Sequence, residues 1–389
     1  MPALILLLSL FCSMVSADGG AGVGYVITLD RPDANHVSVE ATLPVGTEHF
    51  EMLQAADAFS GAVLVARGDD ILVHRGFGFA DREHGLSNER DGIFRIGSLS
   101  KPVTAAAVLI AVGQGRLSLS DPICNFLEPC PPSWESVTVK HALTHTSGIA
   151  DHFGDLEAVP VEQTAAESRR VLTELGDDPL RSEPGAEYAY SNYNYVMLGL
   201  ALEQTYGQPW EAVLKQLMFE PLGLDSMGYD DVWAIVPGRV RGYDRNGEGR
   251  IVNIEHDDHA AYAPGGLRST IGDFFLWSRA VIAGDLLSDE LRRDAFTPYR
   301  ERYGYGWQIR QLFERNMYNH TGEIDGFSTH IAHYPEEDLT IIVFSNIAAD
   351  SAMLRACETA YILFDWADLP ETPEGWAAME PRQTCGLER

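Results

Sequence analysis

A serine and a lysine stand three residues apart in the segment Ser98-Leu99-Ser100-Lys101. The segment follows a strand-like stretch at 93–96 and opens the most apolar helical stretch of the chain, so we expect Ser98 and Lys101 on one helix face. A serine hydroxyl becomes a good nucleophile when a neighbouring base takes its proton, and a lysine serves if burial or nearby charge lowers its pKa. Unpaired N–H groups at the helix start can stabilise an oxyanion. The pattern indicates acyl transfer.

A four-residue pattern of this kind also arises when a capping serine is followed by a surface lysine. The chain has only three lysines, Lys101, Lys140 and Lys215, and a single S-x-x-K match. Because lysine is so scarce, its presence at this position favours a functional role.

Further motifs follow in a fixed order: Leu-Thr-His-Thr-Ser-Gly at 143–148, Tyr190-Ser191-Asn192, Pro-Leu-Gly at 221–223, Gly265-Gly266 and His320-Thr321-Gly322. With Phe-Arg-Ile-Gly-Ser-Leu-Ser-Lys at 94–101, this order resembles the serine hydrolase superfamily of class C β-lactamases, D-alanyl-D-alanine carboxypeptidases and related esterases. The resemblance covers roughly residues 50–365. It implies a β-lactamase/transpeptidase-like fold, and it implies neither a metal nor another cofactor.

The resemblance implies roles for the Y-x-N element. Tyr190 resembles the family's tyrosine, which acts as a general base and proton shuttle. Asn192 resembles the family's asparagine, whose side-chain amide holds the acyl side of the substrate. A tyrosine near Lys101 could have its pKa lowered by the cation. Whether Lys101 or Tyr190 takes the serine proton stays open, and the alternative for this tyrosine-rich stretch is an aromatic surface loop.

Histidine replaces lysine in the family's K-T-G motif, because His320-Thr321-Gly322 stands in its place. The replacement removes a permanent charge that attracts a substrate carboxylate. The resemblance also implies that the backbone N–H of Glu323 completes the oxyanion hole, and its carboxylate disfavours anionic substrates. The alternative for His320 is a strand histidine without a role. The predicted catalytic residues are therefore Ser98, Lys101, Tyr190 and His320, and the predicted substrate-binding residues are Asn192, Thr321, Gly322 and Glu323.

Two other histidine patterns are interpreted differently. His256-Asp-Asp-His259 has a spacing that a metal could use, but a solvated loop or the rim of a cleft is the favoured interpretation. His145 and Ser147 belong to a motif that looks structural in the family, so they are not expected to form a catalytic triad.

The order of elements predicts the fold. Strands at 62–66 and 71–75 precede a mostly helical middle, and strands at 305–309, 329–334 and 339–344 precede a last helix at 351–364. We therefore expect an α+β fold with an antiparallel sheet flanked by helices plus an all-α lobe. The α/β lobe would comprise 46–97 and 255–365, and the helical lobe 98–254. Residues 18–45 are expected to form a hairpin extension, 47–58 a helix and 366–389 a polar tail.

Composition limits the partners. The 389 residues are 45% hydrophobic, enough for a large core, and carry a net charge of −29. Nucleic acid and anionic membranes are poor partners for such a surface. The expected partner is a small-molecule or peptide substrate, and the sequence does not determine the oligomeric state.

The first 17 residues contain an apolar run followed by Val15-Ser16-Ala17, a pattern typical of a cleaved secretory signal. We therefore expect export to the periplasm or the medium without stable membrane insertion, the alternative being an anchor or a buried segment. Four cysteines remain after cleavage, and proximity favours the pairs Cys124 with Cys130 and Cys357 with Cys385. Four free thiols are the alternative.

The sequence thus predicts a serine hydrolase that forms an acyl-enzyme with a peptide, amide or ester. One alternative is a β-lactamase, and another is a catalytically inactive protein that binds peptides or muropeptides. Glu323 and His320 argue against the β-lactamase, and the intact Ser98, Lys101, Tyr190 and Asn192 argue against the inactive protein.

Overall fold

The computed structural model describes residues 37–42, 49–54, 59–151, 179–231, 233–254, 261–284, 286–300 and 302–364. The strands are β1 Val37–Thr42, β2 His49–Gln54, β3 Gly61–Arg67, β4 Asp70–Phe77, β5 Phe79–Asp81, β6 Leu86–Ser87, β7 Phe94–Arg95, β8 Gly228–Tyr229, β9 Tyr243–Arg245, β10 Ile251–Asn253, β11 Leu267–Ser269, β12 Gln308–Leu312, β13 Arg315–Ile324, β14 Phe327–Tyr334 and β15 Leu339–Ser345. The α-helices are α1 Ser100–Gly113, α2 Val139–Leu143, α3 Asn192–Tyr206, α4 Trp210–Leu214, α5 Glu220–Leu222, α6 Tyr262–Gly265, α7 Ile271–Ala283, α8 Asp289–Ala295 and α9 Ala352–Phe364.

The central sheet has six antiparallel strands in the order β12-β13-β14-β15-β3-β4. Strands β3 and β4 precede the helical middle of the chain and the other four follow it. Strand β15 is buried along its whole length, because helices cover both faces of the sheet. The predicted α+β fold with an antiparallel sheet flanked by helices is therefore confirmed.

The alternation of side chains along β3 divides the core into two layers. Ala62, Leu64 and Ala66 face the larger core, which includes residues of α1 and α7. Val63 and Val65 face a smaller core that includes residues of α9. Apolar contacts on both faces hold the sheet rigidly, and β13, which reaches the candidate site, is part of this sheet.

Helix α1 is buried from Ser100 to Leu109. Its small apolar residues, among them Ala105, Ala106 and Ala107, allow neighbouring helices to approach closely, and it contacts α3, α4 and α6. A helix covered on most sides is expected from such an apolar sequence. The packing fixes the first turn of α1, where Lys101 lies.

Two secondary-structure predictions need correction, and the first is the strand expected at 305–309, which begins only at Gln308 as part of β12. The segment at 47–58 was expected to be helical, but His49–Gln54 forms β2, which pairs antiparallel with β1. Backbone pairing with β1 overrides the weak local preference of this segment. Of the predicted hairpin at 18–45, Val37–Thr42 is a strand, but its partner is β2, and the earlier part lies outside the described residues. The lobe boundaries stay a prediction.

The sulfur atoms of Cys124 and Cys130 lie 1.96 Å apart, at the distance of a disulfide, and their Cα atoms lie 5.3 Å apart. The other expected pair includes Cys385, which lies outside the described residues, as do the expected signal segment and the tail.

Within the described part of the chain, no helix is long and apolar enough to cross a membrane.

Candidate active site

Ser98 lies in a 3-10 turn, Gly97–Leu99, between β7 and α1. The turn requires a positive φ of 50° at Gly97, which a residue without a Cβ adopts at little cost. The Ser100 hydroxyl donates to the Gly97 carbonyl at 2.8 Å and accepts the Leu267 backbone N–H at 3.1 Å. These two bonds hold the turn against β11, and the Ser98 side chain is only half-buried.

Lys101 is fully buried in the first turn of α1. Its Nζ lies 2.9 Å from Ser98 Oγ, 2.7 Å from Asn192 Oδ1 and 3.0 Å from the Pro264 carbonyl oxygen. Asn192 is the first residue of α3, and Pro264 belongs to α6. Three helices therefore meet at the lysine amine.

The protonation state of Lys101 follows from its surroundings. Burial lowers its pKa to about 7, although the negative charge of Asp151 acts in the opposite direction. A neutral amine has two N–H donors and one lone pair. The Asn192 and Pro264 oxygens can accept the two N–H groups, so the lone pair is left facing Ser98. This arrangement suits a base that removes the serine proton.

Tyr190 completes the contacts of the serine. Its hydroxyl is hydrogen-bonded to Ser98, and its ring centroid lies 4.9 Å from Lys101 Nζ. Burial is the largest influence and raises the pKa of Tyr190, while the hydrogen bond to Ser98 lowers it less. The sequence suggested that the cation could depress this pKa. The tyrosine is instead a neutral hydroxyl at neutral pH.

His145 packs directly against Tyr190, with ring centroids 4.3 Å apart. Its Nδ1 accepts the Ser191 backbone N–H at 3.2 Å. Burial, followed by the charge of Lys101, holds the pKa of His145 well below its ordinary value, so the ring is neutral. No Ser–His triad forms with Ser147, whose hydroxyl accepts the backbone N–H of Ile149.

His320 and Thr321 lie on β13, the strand that packs against the turn carrying Ser98. His320 is buried, with Nε2 3.0 Å from the Tyr303 hydroxyl and Nδ1 2.8 Å from the Thr321 carbonyl oxygen. Burial, reinforced by Lys101, lowers the pKa of His320 to about 3. The histidine is therefore neutral, and it acts through hydrogen bonds rather than charge. Thr321 Oγ1 lies 2.9 Å from His330 Nδ1.

The backbone of β13 lies against the turn that carries the nucleophile. A methyl group placed on Gly97 would meet the Glu323 nitrogen and oxygen at 2.9 Å each, and one on Gly322 would meet the Ile96 carbonyl oxygen at 2.1 Å. The Glu323 amide is therefore next to Ser98, and the Glu323 side chain is exposed. Backbone N–H groups of residues 98 and 323 in this arrangement suit an oxyanion hole.

Gly322→Ala should separate β13 from this turn. The added methyl group collides with two groups, the Ile96 carbonyl and Thr329 Oγ1, the second at 2.4 Å. We expect kcat to fall by about 100-fold, since a displacement of about 1 Å has this effect. Gly247→Ala is the control, because a methyl group there meets nothing within 4 Å. Unchanged kcat in Gly322→Ala would contradict the expected displacement.

The chain matches the Beta-lactamase family model over residues 48–363. The chain belongs to the Beta-lactamase family. It is 29% identical over 351 residues to penicillin-binding protein 4* of Bacillus subtilis, covering 83% of this chain and 77% of that protein. It is 34% identical over 186 residues to esterase EstB of Burkholderia gladioli, covering 43% of this chain and 47% of the esterase.

The octameric penicillin-binding protein homologue from Pyrococcus abyssi has a similar structure. The TM-score is 0.73 at 25% sequence identity, and the match covers 84% of this chain and 75% of that one. The fold is therefore that of the Beta-lactamase family, and the chain is a serine hydrolase that acts through an acyl-enzyme.

In this member of the Beta-lactamase family, the structure gathers four of the sequence-predicted site residues around Lys101, and it places His320, Thr321, Gly322 and Glu323 on β13, which packs against the turn at 97–99. Lys101 contacts Ser98, Asn192 and the Tyr190 ring, and the Tyr190 hydroxyl also contacts Ser98. Sequence reasoning missed Asp151, whose carboxylate accepts the Asn192 amide at 3.0 Å. It also missed the Pro264 carbonyl and the ring contact of His145. Only Gly265-Gly266, next to Pro264, gave a sequence signal for the α6 region.

Within the described ranges, no group of three histidine, cysteine, aspartate or glutamate side chains could hold a metal ion. The His256 to His259 segment lies outside the described residues.

Proposed function

We propose that Ser98 is the nucleophile of this hydrolase and that Lys101 is the base that takes its proton. The observation that carries the proposal is the 2.9 Å contact between Lys101 Nζ and Ser98 Oγ. Two carbonyl oxygens accept the other hydrogen bonds of the amine, and burial keeps its pKa near 7. A base with this pKa is half unprotonated at neutral pH, where general-base catalysis is most effective.

The reaction proceeds in two steps. Ser98 Oγ attacks the substrate carbonyl carbon while its proton passes to Lys101, and the backbone N–H groups of Ser98 and Glu323 stabilise the oxyanion. The proton then moves from Lys101 through the Tyr190 hydroxyl to the leaving nitrogen or oxygen as the bond to the carbonyl carbon breaks. Water next attacks the serine ester and gives up a proton to the same two groups, which pass it to Ser98 Oγ as the ester bond breaks and the acid product leaves.

The remaining residues orient the substrate and the catalytic groups. Asn192 lies beside the amine, and Thr321 lies on the strand next to the serine. His320 holds Tyr303, which packs against His145, and His145 packs against Tyr190. We assign His320 a supporting role through this contact, because a neutral buried histidine cannot attract a substrate carboxylate.

The preferred substrate is an ester, amide or peptide without a carboxylate near its scissile carbonyl. The Glu323 side chain is exposed next to the residues of the oxyanion hole, and its negative charge repels an anionic group there. The buried, neutral His320 does not compensate this repulsion. β-Lactams carry such a carboxylate and are therefore expected to be poor substrates.

Glu323→Gln should raise kcat/KM for an anionic β-lactam relative to a neutral ester. Removing one charge about 4 Å from a substrate carboxylate is worth ~1 kcal/mol in water, or about fivefold. Raising the ionic strength should reduce the difference. The control is Glu89→Gln at another exposed position, and an equal change for both substrates would contradict this role of Glu323.

Covalent labelling and a substrate panel test the proposed function. A fluorophosphonate should label the wild-type protein and not Ser98→Ala, and nitrocefin, p-nitrophenyl acetate and D-amino-acid amides should separate the substrate classes. Rapid nitrocefin turnover would identify a β-lactamase. Absence of Ser98-dependent labelling would favour the inactive binding protein.

We also propose that the protein is exported. The apolar run at 1–17 supports this proposal, and so do the paired Cys124 and Cys130, because disulfides persist in oxidising compartments. Expression of the full chain, followed by mass measurement of the exported fraction, tests it. The expected product begins after Ala17, and an uncleaved cytosolic product would contradict export.

A further inference from the structure

The asparagine that contacts Lys101, Asn192, is also hydrogen-bonded to the carboxylate of Asp151. Asp151 Oδ2 accepts a hydrogen bond from Asn192 Nδ2 at 3.0 Å, and Asn192 Oδ1 accepts one from Lys101 Nζ at 2.7 Å. The same Nζ lies 2.9 Å from Ser98 Oγ. The four side chains therefore form an unbroken hydrogen-bonded row that ends at the serine hydroxyl.

The row fixes the orientation of the asparagine amide. A carboxylate only accepts hydrogen bonds, so Asp151 requires the NH2 group of Asn192 on its side. The amide oxygen then points toward Lys101. If the amide turned over, its NH2 group would face the lysine, and the amine would lose one of its two carbonyl-type acceptors.

We propose that Asp151 is a positioning residue. It holds the Asn192 amide so that the amide oxygen binds Lys101, and the negative charge of Asp151 stabilises the protonated form of that lysine. The inference rests on the proposed function, because it gives a role to Asp151 only if Lys101 is the base. The arrangement parallels the way in which a third group orients the base in other serine hydrolases.

The charges around Lys101 support this role. The titratable groups that face the lysine are Asp151, Tyr190, Tyr195, His145 and His320. Burial raises the pKa of both tyrosines and lowers that of both histidines, so these four are uncharged at neutral pH. Asp151 alone of these five groups raises the pKa of Lys101, against the effect of burial.

Two substitutions separate the effects of Asp151. Asp151→Asn removes the charge and keeps an acceptor for Asn192, and Asp151→Ala removes both. Exposed Asp225→Asn is the control for a simple loss of one negative charge. The experiment measures kcat, KM and the rate of fluorophosphonate labelling across the acid and neutral pH range, together with thermal unfolding of each variant.

Loss of the Asp151 charge lowers the pKa of Lys101 further below about 7. Because activity requires the neutral amine, the acidic limb of kcat/KM and of labelling should move about 1 unit to lower pH in Asp151→Asn. Asp151→Ala should lose about 10-fold to 100-fold in kcat with little change in KM, and Asp225→Asn should behave as wild type.

The outcomes are distinguishable. A wild-type protein without Ser98-dependent labelling overturns the proposed function itself. A labelled wild type together with an Asp151→Asn variant whose acidic limb coincides with that of the wild type overturns only the role of Asp151. The asparagine variant decides the question even if Asp151→Ala does not fold, because it preserves the size of the side chain and one acceptor.

Discussion

Ser98→Ala should lose at least about 10⁴-fold in kcat toward the best ester or amide of the panel, and it should not be labelled by a fluorophosphonate. The reason is chemical: without Oγ, no acyl-enzyme forms, and removal of such a serine elsewhere has cost about 10⁶-fold. The fold should be unaffected, because the side chain is half-buried and its removal leaves no large cavity. Thermal unfolding of both proteins checks this point.

The matched control for this prediction is Ser120→Ala. Ser120 is exposed and hydrogen-bonded to Ser118, and the Ser120→Ala variant should be labelled to the same extent as the wild type. Intact protein mass spectrometry after labelling gives the stoichiometry directly. A Ser98→Ala variant that still acquires one label would assign the nucleophile to another residue.

Most of the sheet could be predicted from the sequence because its strands have simple patterns. The short apolar runs of β3 and β15, which are rich in β-branched residues, indicate buried strands. The segment His49–Gln54 could not be assigned in this way, since its strand conformation depends on pairing with β1. Local preference is weak where the partner strand decides the conformation.

The contacts of the candidate site also divide into those that sequence spacing predicts and those that only the folded chain creates. Ser98 and Lys101 are three positions apart on one turn, so their contact follows from helix geometry. Asp151 and Asn192 are 41 positions apart, and their hydrogen bond exists only after the chain has folded. The Pro264 carbonyl is a backbone group, which any residue type could supply.

Burial could not be deduced from residue type either. His320 is predicted as a catalytic residue from its place in the motif, but its complete burial leaves it neutral, so that it acts through hydrogen bonds alone. For Tyr190, nearness to a cation suggested a lowered pKa, but desolvation of the hydroxyl has the larger effect and raises it. Desolvation penalises the charged form of each group, whichever sign that charge has.

Lys101→Met should reduce kcat/KM by about 10³-fold to 10⁴-fold while Ser98 remains in place. Methionine has a similar length but no lone pair that can accept the serine proton, and a general base contributes up to about 10⁴-fold. Lys215→Met, at an exposed position that pairs with Glu220, is the control and should keep full activity. Activity of Lys101→Met close to that of wild type would assign the base to another group.

The pH dependence of the wild type decides between the two bases that the sequence leaves open. If Lys101 is the base, kcat/KM rises with pH up to a midpoint near the pKa of about 7 and then stays level, because the amine is neutral above it. Below that midpoint, the neutral fraction and the rate fall tenfold per unit. If Tyr190 phenolate were the base, the raised pKa of the tyrosine would make the rate rise further through the alkaline range. We expect kcat/KM to stay level above the midpoint. Disappearance of this midpoint in Lys101→Met would show that it reflects the titration of Lys101.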